Sequence, residues 1–297
     1  MVGALSLSLT VAACDADDGP ARDGPIVVAT TSILGDIASS VVGDEGRVEV
    51  LIPIGVDAHD FVPSARQAAL AAAADLVVSN GLGLEAGLGD LLASAAGDGI
   101  PTIELAPLVE PLPFTTPEDG GRDREDPHFW MDPFRVGVSA LELGEALTAT
   151  HPGRWRERAA AYASDMETTD ETVAELLAPI PGDRRKMITN HQAFGYFAAR
   201  YGFEILGVVI RGGSTLASPS SAQLAELVQV MEQEDARVIF AETSQPTRLA
   251  ESVAAELGEE VEIVELFTES LGGPGSGAET LSEMLSTNAR RIAAALG

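Results

Sequence analysis

Cysteine is almost missing from this chain. Among 297 residues there is one, Cys14, so no intramolecular disulfide can form and no cysteine cage can hold a metal. Basic residues are scarce too: 18 Lys and Arg stand against 46 Asp and Glu, for a net charge of −28. That balance argues against a nucleic-acid partner, because binding phosphates needs basic patches. It suits a solvated surface in a salty medium, or a partner that is itself a cation. Histidine occurs only four times, so the place of each one carries information. What the chain does have is 45% apolar and 22% charged residues, the composition of a globular protein rather than a disordered one. With 297 residues it is too long for one ordinary core, and two domains are expected.

The first residues stand apart. "MVGALSLSLTVAAC" is a short apolar run, too short to span a bilayer as a stable helix. It resembles the apolar region of a secretory signal, and its ending Val11-Ala12-Ala13-Cys14 resembles a bacterial lipobox. The resemblance implies cleavage before Cys14, a diacylglycerol on its sulfur, and an extracytoplasmic protein lipid-anchored at the cell surface or in the periplasm. No Lys or Arg precedes the run, which departs from the usual pattern. The acidic stretch "DADDGPARDGP" that follows reads as a flexible tether.

From Pro25 onward buried-looking strands alternate with helices. "IVVAT", "RVEVLIPI", "DLVVSNG" and "IPTIELA" read as strands, separated by helices at "SILGDIASSVV" (capped by Ser32), "SARQAALAAAA" (capped by Ser64) and "GLEAGLGDLLASAA". Such an order predicts a mainly parallel sheet covered on both faces. Between Pro107 and Asp126 a stretch rich in Pro, Gly and acid, with Glu118, Asp119, Asp123 and Glu125, reads as a loop. A helix running to His151 follows. A second one of nearly thirty residues is expected to start with Pro152 in its first turn. Alternation resumes with strands at "RKMITN", "FEILGVV", "ARVIFAE" and "VEIVELFTE". The expected fold class is therefore α/β, with two lobes joined by a long, stiff helix. The expected division is residues 1–24 as leader and tether, 25–151 as the first lobe, 152–180 as the linking helix and 181–297 as the second lobe.

In open α/β sheets ligands bind beyond the carboxyl ends of the strands. His59 in "IPIGVDAHDF", His128 in "EDPHFWMDP", His191 in "ITNHQAF" and Glu269 in "LFTES" all fall on loops of that kind, two from each lobe. If the lobes face each other, the four converge. Three imidazoles and a carboxylate suit Zn²⁺ as direct ligands. Four protein ligands leave no position for a substrate water, which favours binding over catalysis. Each histidine also has a plainer reading as a cap or a surface residue. His151, between two helices, reads as structural or surface.

The words around these residues carry a further resemblance. "VVATTSILGDIASSVVGD", the G-x-D-x-H-x-[FY]-x-P-[ST] string from Gly55 to Ser64, the D-P-H-x-W-x-D-P string from Asp126 to Pro133, "NHQAFGYFAARYGFEILGV" and "IFAETSQP" together resemble the zinc/manganese solute-binding receptors of bacterial ABC importers. The resemblance runs from Ile26 to the end. It implies two lobes bridged by a rigid helix and a metal site in the cleft, with His59, His128 and His191 as ligands. The family's fourth ligand is usually an aspartate; here the place is Glu269, one methylene longer. Asp57, Asn190, Glu242 and Trp130 are candidates to orient the ligands: Asp57 through its loop, Asn190 by capping the next helix, Glu242 from a strand end, Trp130 by packing beneath the His128 loop. The resemblance further implies no enzymatic activity and a monomer that carries its metal to an ABC permease with an ATPase subunit. A histidine rather than a glutamate at position 191 favours Zn²⁺, with Mn²⁺ or iron as the alternative. Three rivals remain: a metal-dependent adhesin, a siderophore or vitamin B12 receptor of similar architecture, and a metallohydrolase, although no H-E-x-x-H string occurs.

Overall fold

The computed structural model describes residues 24–114, 124–258 and 261–297. The expected leader with Cys14, and the loop acids Glu118, Asp119 and Asp123, lie outside the described residues. Four strands, β1 (Ile26–Ala29), β2 (Arg47–Val50), β3 (Leu76–Ser79) and β4 (Thr102–Glu104), form one sheet in the order β2-β1-β3-β4. A second sheet, β5 (Lys186–Thr189), β6 (Glu204–Val208), β7 (Val238–Glu242) and β8 (Glu262–Leu266), has the order β6-β5-β7-β8. Every strand pairing is parallel, so the carboxyl ends of each sheet lie along one edge. The central strands β1 and β3 are the apolar runs, because helices cover both of their faces.

Helices α1 (Ser32–Val42), α2 (Ala65–Ala72) and α3 (Gly89–Gly97) belong to the first sheet. Helices α6 (Gly195–Tyr201), α7 (Ser221–Gln233), α8 (Arg248–Glu256) and α9 (Leu281–Leu296) belong to the second. The start of α1 differs from expectation. Thr31, not Ser32, is the N-cap, accepting the Leu34 N–H at 3.2 Å. Ser32 is one position too late to cap, and its hydroxyl is used across the molecule by Ser270 at 3.1 Å. Ser64 does cap α2; its N–H donates to Gln67 Oε1 at 3.0 Å.

Between the sheets run α4 (Pro133–Thr150) and α5 (Trp155–Leu177). The start of α5 is also corrected: Pro152 lies before the helix, not in its first turn. Trp155 folds back, its indole N–H bonding the His151 carbonyl at 3.0 Å, and its ring covers Gly153, where any Cβ would stand 2.2 Å from ring carbons. That leaves the chain from His151 to Arg154 as the reversal between two packed helices. On α5 the buried residues Trp155, Ala159, Tyr162, Met166, Thr169, Val173 and Leu177 recur every three or four positions, a single stripe. The stripe meets α1 and α4 on one side and α9 on the other. Gly137 and Gly144 let α4 approach closely: a Cβ on Gly144 would lie 2.8 Å from Ala159 Cβ.

The apolar interior is not divided as two independent domains would be. One continuous core runs from Val28 and Ile37 through Trp155 and Met166 to Phe197, Met284 and Ile292. A smaller core with Ile188, Leu227, Met231 and Val253 lies under α7 and α8. The two sheets thus pack on shared helices.

Candidate metal centre

After β2 the chain turns through Gly55, at φ 81°, a conformation that strains any L side chain. Its N–H donates to Ser270 Oγ at 2.8 Å. Asp57 Oδ1 then accepts the backbone N–H of His59 at 2.8 Å, an Asx turn that sets the loop. The same Asp-x-His turn recurs before α4. Asp126 Oδ1 accepts the His128 backbone N–H at 2.9 Å and also the ring Nδ1–H at 2.6 Å. A carboxylate can only accept, so the Nδ1 proton is fixed and Nε2 is left with its lone pair outward.

His191 follows β5 in a tight turn. Its carbonyl accepts the Ala193 N–H at 3.0 Å and the Thr189 hydroxyl at 2.9 Å. Its Nδ1 donates to the Glu242 carboxylate at the end of β7. The expectation that Asn190 caps the next helix fails: α6 begins only at Gly195, with Phe194 as its N-cap. The His191 turn takes up the intervening residues, and Gly195 then packs on the His128 loop, where a Cβ would meet Asp126 Oδ2 at 2.7 Å. Asn190 is buried and its carbonyl accepts the Ile210 N–H at 2.7 Å. Glu269 lies just past β8, whose end is pinned by Asn288 of α9 through the Phe267 N–H at 2.9 Å and carbonyl at 2.7 Å. Trp130 packs its ring edge against His128, centroids 5.3 Å apart, and donates to the Thr268 carbonyl at 2.8 Å. It therefore ties the His128 loop to the Glu269 loop.

The four candidates meet. His128 Nε2 lies 3.4 Å from His59 Nε2 and 3.3 Å from His191 Nε2. Glu269 Oε1 is 3.4 Å from both His128 Nε2 and His191 Nε2, and Oε2 is 3.8 Å from His59 Nε2. One donor atom from each lies within 4.8 Å of all the others, and all four residues are buried. Neither oxygen of Glu269 has a hydrogen-bond partner among the described residues. A buried carboxylate without donors is costly unless a cation faces it.

The electrostatics agree. Burial pushes the His59 imidazole below its ordinary value, against the pull of Glu269. Burial would also lower His191, but the carboxylates of Glu242 and Glu269 hold it well above the ordinary value. Burial would raise Glu269, yet the surrounding imidazoles bring its carboxyl down to about 2. A divalent cation at the centre would face the Glu269 oxygens while leaving the imidazoles neutral.

Two supporting residues escaped the sequence reading. Asp126 holds His128, and Tyr196 holds Asp126: its hydroxyl donates to the Asp126 carbonyl at 2.8 Å and accepts the Leu112 N–H at 3.0 Å. The repeated Asp-x-His spacing could have flagged Asp126. Nothing local flags Tyr196. His151 takes no part in the cluster; it ends α4, with Nδ1 at 2.9 Å from the Thr150 hydroxyl. No helix among the described residues is long and apolar enough to cross a membrane.

Known proteins share this architecture. The family model for zinc-uptake complex component A, periplasmic, matches residues 27–295. The manganese-binding lipoprotein MntA of Halalkalibacterium halodurans is 27% identical over 288 residues, covering 95% of this chain and 93% of the relative. The zinc-binding protein TroA of Treponema pallidum is 29% identical over 286 residues, covering 94% and 91%. The solved structure of that periplasmic zinc-binding TroA superposes with a TM-score of 0.84 at 28% identity, covering 92% of this chain and 99% of that one. The chain belongs to the zinc-uptake complex component A family, whose members are substrate-binding components of ABC importers and not enzymes.

Proposed function

We propose that this protein captures Zn²⁺ outside the cytoplasm through His59, His128, His191 and Glu269, and hands it to an ABC permease driven by its ATPase subunit. The observation that carries this reading is Glu269: a fully buried carboxylate whose oxygens face three imidazole Nε2 atoms at 3.4–3.8 Å and make no hydrogen bond among the described residues. Four of the donor separations, 3.3 or 3.4 Å, match the about 3.3–3.4 Å edge of a tetrahedron with Zn–N of about 2.05 Å, while the whole set lies within 4.8 Å. Three imidazoles and one carboxylate also favour a borderline-soft cation over a hard one. Manganese is the second reading, because one of the relatives above is named for manganese and another for zinc.

The rest of the reading follows from the class. The lobes open and close over the site by small motions, with residues 152–180, which contain α5, as a stiff link. A lipid on Cys14 tethers a monomer to the membrane. Competitive titration of metal-free protein with Zn²⁺ and Mn²⁺ tests the assignment. One Zn²⁺ per chain, held in preference to Mn²⁺ and weakened by roughly a hundredfold or more in Glu269→Ala, is expected. Wild-type affinity in Glu269→Ala and in His191→Ala would overturn the ligand set; preference for Mn²⁺ would overturn the choice of metal.

A further inference from the structure

His59 is supported differently from the other two imidazoles. His128 is braced by Asp126 from its own loop, and His191 by Glu242 from its own sheet. The acid beside His59 is Asp57, which is 4% exposed, and its two oxygens serve different lobes. Oδ1 accepts the His59 backbone N–H at 2.8 Å. Oδ2 accepts the Thr215 hydroxyl at 2.6 Å and the Gln245 amide at 2.5 Å, both on loops of the second sheet. Gln245 is in turn tied by its backbone N–H to the Glu242 carbonyl at 3.3 Å. A continuous path of contacts therefore joins His59 to Glu242, which braces His191.

We propose that Asp57 is a latch between the lobes that positions His59 only while they are closed; the inference rests on the metal-capture reading above. In the closed state three neutral donors satisfy a buried carboxylate. When the lobes part, Thr215 and Gln245 withdraw, water replaces them, and the loop carrying His59 loses its hold on the second lobe. His59 is then the first ligand to leave, and metal escapes through that state. Thr215 and Gln245 are not among the proposed ligands. They act through Asp57 on the lifetime of the bound ion, so they are positioning residues.

The test uses the full chain loaded with Zn²⁺ and measures release into a strong chelator by stopped flow. The variants are Thr215→Val, Gln245→Leu, the double variant and the conservative Thr215→Ser. Losing two hydrogen bonds to a buried charge predicts release faster by roughly tenfold or more in the double variant, with one ion still bound per chain. Thr215→Ser, which keeps the hydroxyl, should release at the wild-type rate. Melting of the metal-free variants separates a latch from a merely structural contact. Faster release, rescue by serine and little change in metal-free melting support the latch. Release within about twofold of wild type, or acceleration matched by an equal loss of metal-free stability, overturns it. Failure of wild-type protein to take up Zn²⁺ would instead sink the capture reading, and the latch with it.

Discussion

His59 and His191 are the same residue type in two different environments, which push their imidazoles in opposite directions. His191 is held well above its ordinary value by Glu242 and Glu269 despite its burial. A raised value favours the protonated imidazole in the metal-free protein, so with the proposed ligand set an arriving cation would displace that proton. Metal binding at pH 7 should release about one proton from this site, and apparent affinity should fall up to about tenfold per pH unit as the solution is acidified. Calorimetry in buffers of different ionisation enthalpy checks the count. Glu242→Gln removes the main raising cause and should reduce the release. If the variant releases as many protons as wild type, Glu242 does not govern this titration. The motif strings made the three histidines and Glu269 legible as a set. Their supports were less so, because a hydrogen bond such as Tyr196 to the Asp126 carbonyl joins residues seventy positions apart in the chain.

At the scale of elements, strands and helices were predictable because apolar runs and helical stripes are local properties. All eight expected strands are present, each at its expected place. Helix starts were less so. The beginning of α1 moved to a Thr31 cap, that of α5 moved past Pro152, and that of α6 moved to Gly195, in each case because a side chain or turn was committed to a partner elsewhere. The α4–α5 pair shows how little room such packing leaves. Gly144→Ala would place its Cβ 2.8 Å from Ala159 Cβ and 3.1 Å from the Trp155 carbonyl. Overpacking of that kind should cost about 1–3 kcal/mol, measurable as a lower denaturation midpoint. Unchanged stability would mean that the two helices can separate freely, against the stiffness assigned to them.

For the whole molecule, the site is a joint between lobes: His59 and His128 come from the chain before α4, His191 and Glu269 from the second sheet. A cation filling it as proposed would tie the lobes together as well as neutralise Glu269. A ligand that binds only the folded state at a hundredfold excess over its dissociation constant adds about 2.7 kcal/mol. Scanning calorimetry should show Zn²⁺ raising the melting temperature of wild-type protein by several degrees, about 2–4 °C for each kcal/mol in a chain of this size, and raising that of Glu269→Ala far less. An equal rise in both would place the stabilising ion elsewhere. The acidic surface, net −28, adds a long-range attraction for cations that weakens with salt.

By itself the sequence determined the α/β alternation, the absence of a cysteine-based site, the poverty of basic patches, and the positions of three histidines and a glutamate on loops. These are properties of composition, periodicity and short motifs, and they survive without knowledge of what packs on what. Only the tertiary structure decided that the four side chains meet with donor atoms within 4.8 Å, that one core runs through both lobes, and that Asp57 reaches from His59 to Thr215 and Gln245. Those outcomes depend on which distant loops the shared helices bring together, and distances across a cleft are not written in any local stretch of chain.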